Sequence, residues 1–192
     1  MLEKKTQVQS DGRVDDQRSP RALTTACFIV SSLLLFLSSA GADPMPVPMN
    51  LQVEIIKRMF NYDKALANET NLVVFVVHQD EGAVRPDDIV RAFEFVGVVS
   101  VAVRLDALTS QSRMPSAVYL LPGIEASSVS RYCTDNKVLS ISGVPALAET
   151  GSVAVSIGEE NRRPQIIVNM KRLQDEGHNF SAQLLQLAKV VQ

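Results

Sequence analysis

The chain has 192 residues, a single-domain length and enough to bury a full hydrophobic core. Hydrophobic residues make up 46% and charged residues 21%, while aromatics supply only 5% with no Trp, so the core has to be built mostly from Val, Leu, Ile and Ala. A net charge of −2 argues against nonspecific nucleic-acid binding, which needs a basic face.

Residues 1–25 are polar and carry Lys4, Lys5, Arg13, Arg18 and Arg21. A dozen mainly apolar residues follow, Ala26 to Leu37, and then Ser38-Ser39-Ala40-Gly41-Ala42. A basic flank, a short apolar run and an Ala-x-Ala ending predict a secretory signal peptide over residues 1–42, cleaved after Ala42. A membrane-spanning helix needs about 20 apolar residues, so an uncleaved anchor is the weaker alternative. Cleavage removes Cys27 and leaves Cys133 as the one cysteine, with 14 basic and 17 acidic residues and a net charge of −3. Pro44, Pro46 and Pro48 then make residues 43–49 an extended leader.

Asn50 is placed to cap a helix in which Leu51, Ile55, Met59, Tyr62 and Leu66 recur at helical spacing, to about Ala67. Residues 71–77 form a continuous β-branched run, as in a strand covered on both faces. Pro86, Asp87 and Asp88 open a second helix and Gly97 closes it, before a second buried strand at 98–103. Strand, helix and strand in about 30 residues predict parallel pairing. After a polar connection at 104–115, a third strand is expected at 116–121 and a helix ending near Asp135. A fourth strand at 137–142 and a short helix after Pro145 complete that part. Val153, Val155 and Ile157 then alternate with small residues, and a loop of about six residues, Glu159 to Pro164, leads to a strand at 165–169. That is an antiparallel hairpin. A helical turn, a break at Gly177 and an amphipathic helix opened by Ser181 end the chain. The sum is an α/β fold: a single three-layer domain over residues 50–192, with parallel strands, a C-terminal hairpin closing the edge, and helices on both faces.

No catalytic or cofactor motif stands out: there is no Gly-x-Ser-x-Gly, Gly-x-Gly-x-x-Gly or Walker loop. His78 and His178 lack partners at metal-ligand spacing and read as solvated loop residues, as do Asp80 and Glu81. Gly123 and Gly143 each follow a parallel strand and precede a helix, where backbone N–H groups can receive a small anion or nucleotide. An ordinary turn is the alternative at both. Arg162 and Arg163, beside Glu159 and Glu160, suit a solvated turn or a partner contact. Asn68-Glu-Thr70 and Asn179-Phe-Ser181 fit the glycosylation sequon. Cys133 is either a buried thiol or the site of an interchain disulfide.

The C-terminal stretch resembles the end of the YfiR family of exported regulators (the YfiR/HmsC-like domain). That family closes with a hairpin whose second strand ends in Ile-Asn-Leu, then a short helix, a glycine, a Ser-containing helix start and Leu-Leu-x-Leu-Ala-x-Val-Val. The counterparts are Ile167-Val168-Asn169-Met170, Lys171 to Glu176, Gly177, Ser181, and Leu184-Leu185-Gln186-Leu187-Ala188-Lys189-Val190-Val191. Phe60 and Tyr62 stand where the family carries an aromatic pair, and Ile141-Ser142-Gly143 also fits. Better-known members have internal disulfides; the body of this chain has only Cys133, so a disulfide-based redox role does not carry over. The resemblance implies a non-enzymatic periplasmic protein, often a homodimer, without cofactor or nucleic acid. In the best-known systems it binds a membrane-anchored diguanylate cyclase and restrains cyclic-di-GMP production and biofilm formation. A periplasmic small-ligand or nucleotide sensor working with a sensor kinase or transporter is the alternative. Asn169 and Ser181 are expected to be structural, ending a strand and capping a helix.

Overall fold

Val-rich runs set the sheet. A computed structural model describes residues 45–79 and 84–192; the expected signal peptide, Asp80 and Glu81 lie outside them. In chain order the elements are α1 (Met49–Phe60), β1 (Val73–His78), α2 (Pro86–Phe95), β2 (Val99–Arg104), a 3-10 helix (Leu105–Ser110), β3 (Ala117–Leu120) and α3 (Ala126–Asn136). Then come β4 (Leu139–Ser142), α4 (Pro145–Glu149), β5 (Val155–Glu160), β6 (Arg163–Asn169), α5 (Met170–Asp175), α6 (Ala182–Leu187) and β7 (Lys189–Val191). The seven strands make one mixed sheet in the order β2-β1-β3-β4-β5-β6-β7. The pairs from β2 to β5 are parallel, β5 with β6 is antiparallel, and β6 with β7 is parallel.

Alternation along the strands sends side chains to two cores, one on each face. Val74, Val76, Tyr119 and Ile141 meet Ile56 and Phe60 of α1, Phe93 of α2 and Leu184 of α6. Val73, Phe75, Val118 and Leu120 meet Leu108 of the 3-10 helix, Val129 and Cys133 of α3, and Ala148 of α4. The two helical layers and the sheet are the three layers expected from the sequence. With one partial exception the central strands are wholly buried, whereas β2 at the sheet edge leaves Val99 and Val101 exposed. The helix between β1 and β2 ends as its residues dictate: Gly97 at φ +78° lets its own N–H reach Glu94 O while the Val98 N–H reaches Phe93 O.

Several boundaries differ from the sequence expectation. Asn50 is not a cap: α1 starts two residues earlier than that cap implies, with Pro48 in the cap position, because the Leu51 and Gln52 N–H groups both donate to Pro48 O. The helix also stops at Phe60 rather than near Ala67, since Tyr62 and Lys64 turn away to bond the backbone of Ser181 and Asn179. The leader is not free: Met45 and Val47 are buried. The hairpin loop is two residues, not six. Asn161 and Arg162 both take positive φ, +51° and +61°, the geometry of a tight primed turn, and the strands run on through Glu160 and Arg163.

The largest departure is at the end of the chain. The expected amphipathic helix opened by Ser181 lasts only to Leu187, and Lys189–Val191 become the seventh strand, paired with Ile167–Asn169. Val190 and Val191 are β-branched and favour that conformation. The hairpin therefore does not form the edge of the sheet; β7 does. A chain ending at Ala188 is expected to be less stable and to self-associate with rising concentration, because the outer hydrogen-bonding row of β6 is then bare. Sedimentation velocity of the full and shortened chains across a concentration series checks this.

Candidate functional site

The residues of the C-terminal motif form a polar scaffold. Asn169 is the last residue of β6 and is 4% exposed; its Oδ1 accepts the Arg172 N–H at 2.9 Å, capping α5, and its Nδ2 donates to Ala148 O at 3.1 Å. One side chain thus joins the end of α4 to the start of α5. Arg172 continues the link, donating to Gly151 O at 2.9 Å and to Thr134 Oγ1 on α3 at 3.1 Å. Gly177 takes φ +79°, and a Cβ there would lie 3.1 Å from the Lys137 side chain. Ser181 precedes α6 and its Oγ accepts the Leu184 N–H at 3.4 Å. Leu184 is buried and Leu185 half-buried, while Leu187 is exposed and Ala188 lies between α6 and β7.

Two buried ionisable groups, Glu176 and His178, hold this segment to the rest of the domain, and the sequence marked neither as buried. The β4–β5 ladder pairs only two residues on each strand, which leaves Ser140 beyond its end. Glu176 fills the gap: its carboxylate accepts the Ser140 N–H at 2.8 Å and the Ser140 hydroxyl at 2.6 Å, and that hydroxyl accepts the Ala154 N–H at 2.7 Å. Burial pushes the Glu176 carboxyl up to about 7, against the pull of the Ser140 bonds, Arg172 and His178. His178, read from sequence as a solvated loop residue, is 4% exposed, and its Nδ1 lies 2.7 Å from Oδ2 of the fully buried Asp63. Asp63 Oδ1 also accepts the Ala65 N–H at 2.9 Å. The correction has a plain cause: the turn after Gly177 folds inward against the end of α1, where Asp63 bridges Phe180.

The two glycine candidates part company. Gly123, at φ +84°, sits in an exposed turn with nothing within 4 Å of where its Cβ would be. Gly143 is closed off: a Cβ there would come within 2.5 Å of Gln52 Oε1 and 2.8 Å of the Tyr119 hydroxyl. These groups are already committed. Tyr119 donates to Gln52 Oε1 at 2.7 Å, and Gln52 Nε2 donates to Val47 O at 2.7 Å, which pins the leader. Gly143 is therefore sterically required for the domain's own packing, and the space beside it is filled by Gln52 and Tyr119. Cys133 is 0% exposed in α3, with burial and the nearby Glu176 raising its thiol pKa. An interchain disulfide there would require the second core to open, so the buried-thiol alternative is the one the packing favours.

A cleft of about 390 Å³ opens at the carboxyl ends of β1 and β2, lined by His78, Gln79, Arg104, Leu105, Asp106 and Ser128. It lies beside the point where the strand order reverses, between β1 and β3, the place where open α/β sheets take ligands. Arg104 donates from Nε and a terminal nitrogen to the two Asp106 oxygens at 3.1 and 3.0 Å, holding the Asp106 carboxyl below its usual value. Among the described residues no group of three or more His, Cys, Asp or Glu could hold a metal ion. Also among them, no helix is long and apolar enough to cross a membrane.

Two outcomes follow from this packing. Gly143→Ala is expected to cost about 1–3 kcal/mol, because Gln52 and Tyr119 must move to admit a methyl group; urea denaturation measures it. Glu176 has a higher pKa folded, about 7, than unfolded, near 4.5, so the fold binds its proton more tightly. Its stabilising contribution is complete below pH 4.5 and is lost as pH rises towards 7. Urea titrations at pH 5, 6 and 7 should show wild-type stability falling by this component, and Glu176→Gln should lack it. Equal slopes in the two chains would remove the assignment.

Comparison with known proteins gives two findings. The profile of a family described as YfiR/HmsC-like matches residues 59–189. Among solved structures, the fold is similar to that of the ABC domain in complex with L-Trp from Streptococcus pneumonia, at 12% sequence identity and a TM-score of 0.54. The match covers 76% of this chain and 62% of that one, and at such identity it shows the fold alone. No protein of curated function matches the chain.

Proposed function

The chain belongs to the YfiR/HmsC-like family, and on that premise we propose that it is a periplasmic regulator that binds and restrains a membrane-anchored diguanylate cyclase. The family match over residues 59–189 is the observation that carries this reading. In this proposal the protein is exported through its N-terminal segment, cleaved after Ala42, and acts by binding rather than by catalysis. Its effect is on cyclic-di-GMP and, through it, on biofilm formation, and dimerisation, common in the family, is part of the proposal. The residues of the C-terminal motif then serve as scaffold, keeping the last strands and α6 in place; the partner is met by other side chains.

A second reading is supported by the cleft at the carboxyl ends of β1 and β2. A small ligand or nucleotide seated there would make the domain a sensor acting with a sensor kinase or transporter. A rise in Tm of several degrees with nucleotides or amino acids would promote this reading.

Loss of the protein is expected to raise cyclic-di-GMP and surface attachment. The tagged chain should co-purify with a membrane-anchored diguanylate cyclase from gently solubilised native membranes. Recovery of no membrane signalling protein, under conditions that preserve complexes, overturns the regulator reading.

A further inference from the structure

Three furrows meet around the carboxyl end of α1, with volumes of about 400, 200 and 350 Å³, and Asn61 lines all of them. The first contains Phe95, the last residue of α2, which is 89% exposed. The third contains Leu187, the last residue of α6, which is 74% exposed. These are the two most exposed large apolar side chains among the described residues. A single exposed hydrophobic residue is ordinary on a protein surface, but two that flank one helix end, each beside an unfilled concavity, mark a contact face.

The charge around the furrows is one-sided. The charged side chains lining them are Lys57, Arg58, Arg113 and Glu54, three cations to one anion, in a chain whose net charge is −2. Glu54 lies 3.9 Å from Arg58 across one helical turn, a solvent-exposed pair of little strength. Lys57 also donates to Val96 O, which ties the end of α2, and with it Phe95, to α1. The apolar posts and the basic ridge are therefore parts of one face.

We propose that this face docks an acidic segment of a protein partner, with two apolar side chains seated in the outer furrows and carboxylates over Arg58 and Arg113. The inference rests on the regulator reading and names the surface that reading needs. Separate concavities on either side of a ridge call for side chains to fill them, which the plane of a lipid headgroup layer does not supply. Cations on the rim also steer an acidic partner and make its association salt-dependent.

The test uses the chain from Asp43 onward and, as probes, the purified periplasmic domains of the producing organism's membrane-anchored diguanylate cyclases, titrated one at a time. The wild-type chain should bind one of them, more weakly as salt rises. Phe95→Asp, Leu187→Asp and Arg58→Glu should each weaken that binding at least tenfold, with Arg58→Glu also flattening the salt dependence. Met114→Asp, at a 57% exposed apolar position outside the furrows, should leave it unchanged. All four are surface substitutions, and matching thermal melts establish that the variants are folded. Wild-type affinity retained by all three furrow variants overturns the proposal while the regulator reading stands. Loss of binding that accompanies a change from dimer to monomer in sedimentation assigns the face to a second copy and also overturns it. So does wild-type binding to phosphatidylglycerol vesicles that the same substitutions abolish. Failure of the wild-type chain to bind any of the cyclase domains overturns the regulator reading and this inference with it.

Discussion

A single hydrogen bond between Asp63 and His178, 2.7 Å long, joins positions 115 residues apart in sequence. The end of the first helix and the start of the last one are fixed by it together. Backbone bonds from Lys64 to Asn179 and from Ser181 to Tyr62 flank the pair, so the two segments approach as a short bridge. Both ionisable side chains are out of water, and such a pair persists only where the surrounding contacts hold it in register. Ser181 begins α6 from this bridge, and β7 follows α6 directly. The placement of the final strand thus depends on a contact made early in the chain. The C-terminal scaffold works on the same pattern: Glu176 completes an interrupted ladder at Ser140, and Asn169 and Arg172 tie α4, α3 and α5 to the end of β6.

These contacts explain what the family motif records. Asn169, Gly177 and Ser181 occupy backbone positions where a side-chain cap or a positive φ is needed. They set the path of the chain. Phe95 and Leu187 are different in kind. Nothing in the packing of the domain requires a large apolar group at either place, so each is there at a cost in solubility that the fold alone does not offset.

The parallel part of the sheet was legible from local pattern. Residues 71–77 and 98–103 are β-branched runs around a helix bounded by Pro86 and Gly97, and little else can be made of that order. The antiparallel pairing of β5 and β6 was readable for the same reason. What escaped was decided at long range. The early end of α1 and the burial of His178 both follow from Asp63 meeting a turn more than a hundred residues away, and no window of sequence contains both. Lys189–Val191 continue the helical spacing of Leu184 and Leu187, and only the vacant side of β6 turns them into a strand. The two-residue hairpin turn was missed because Asn161 and Arg162 carry no glycine, although positive φ is needed at both. The furrows around α1 were invisible for a simpler reason: the exposure of Phe95 and Leu187 is a fact of the assembled layers.

The two margins of the sheet are built unequally. At one, β7 is only three residues long, and Lys189 reaches Glu149 at 2.6 Å, so a charged group stands along the border. At the other, β2 runs for six residues with Val99 and Val101 in the open. A sheet grows without limit only if both margins accept a strand. Here one margin is short and bordered by an ion pair and the other is longer and apolar, so the two do not offer equivalent places to a further strand.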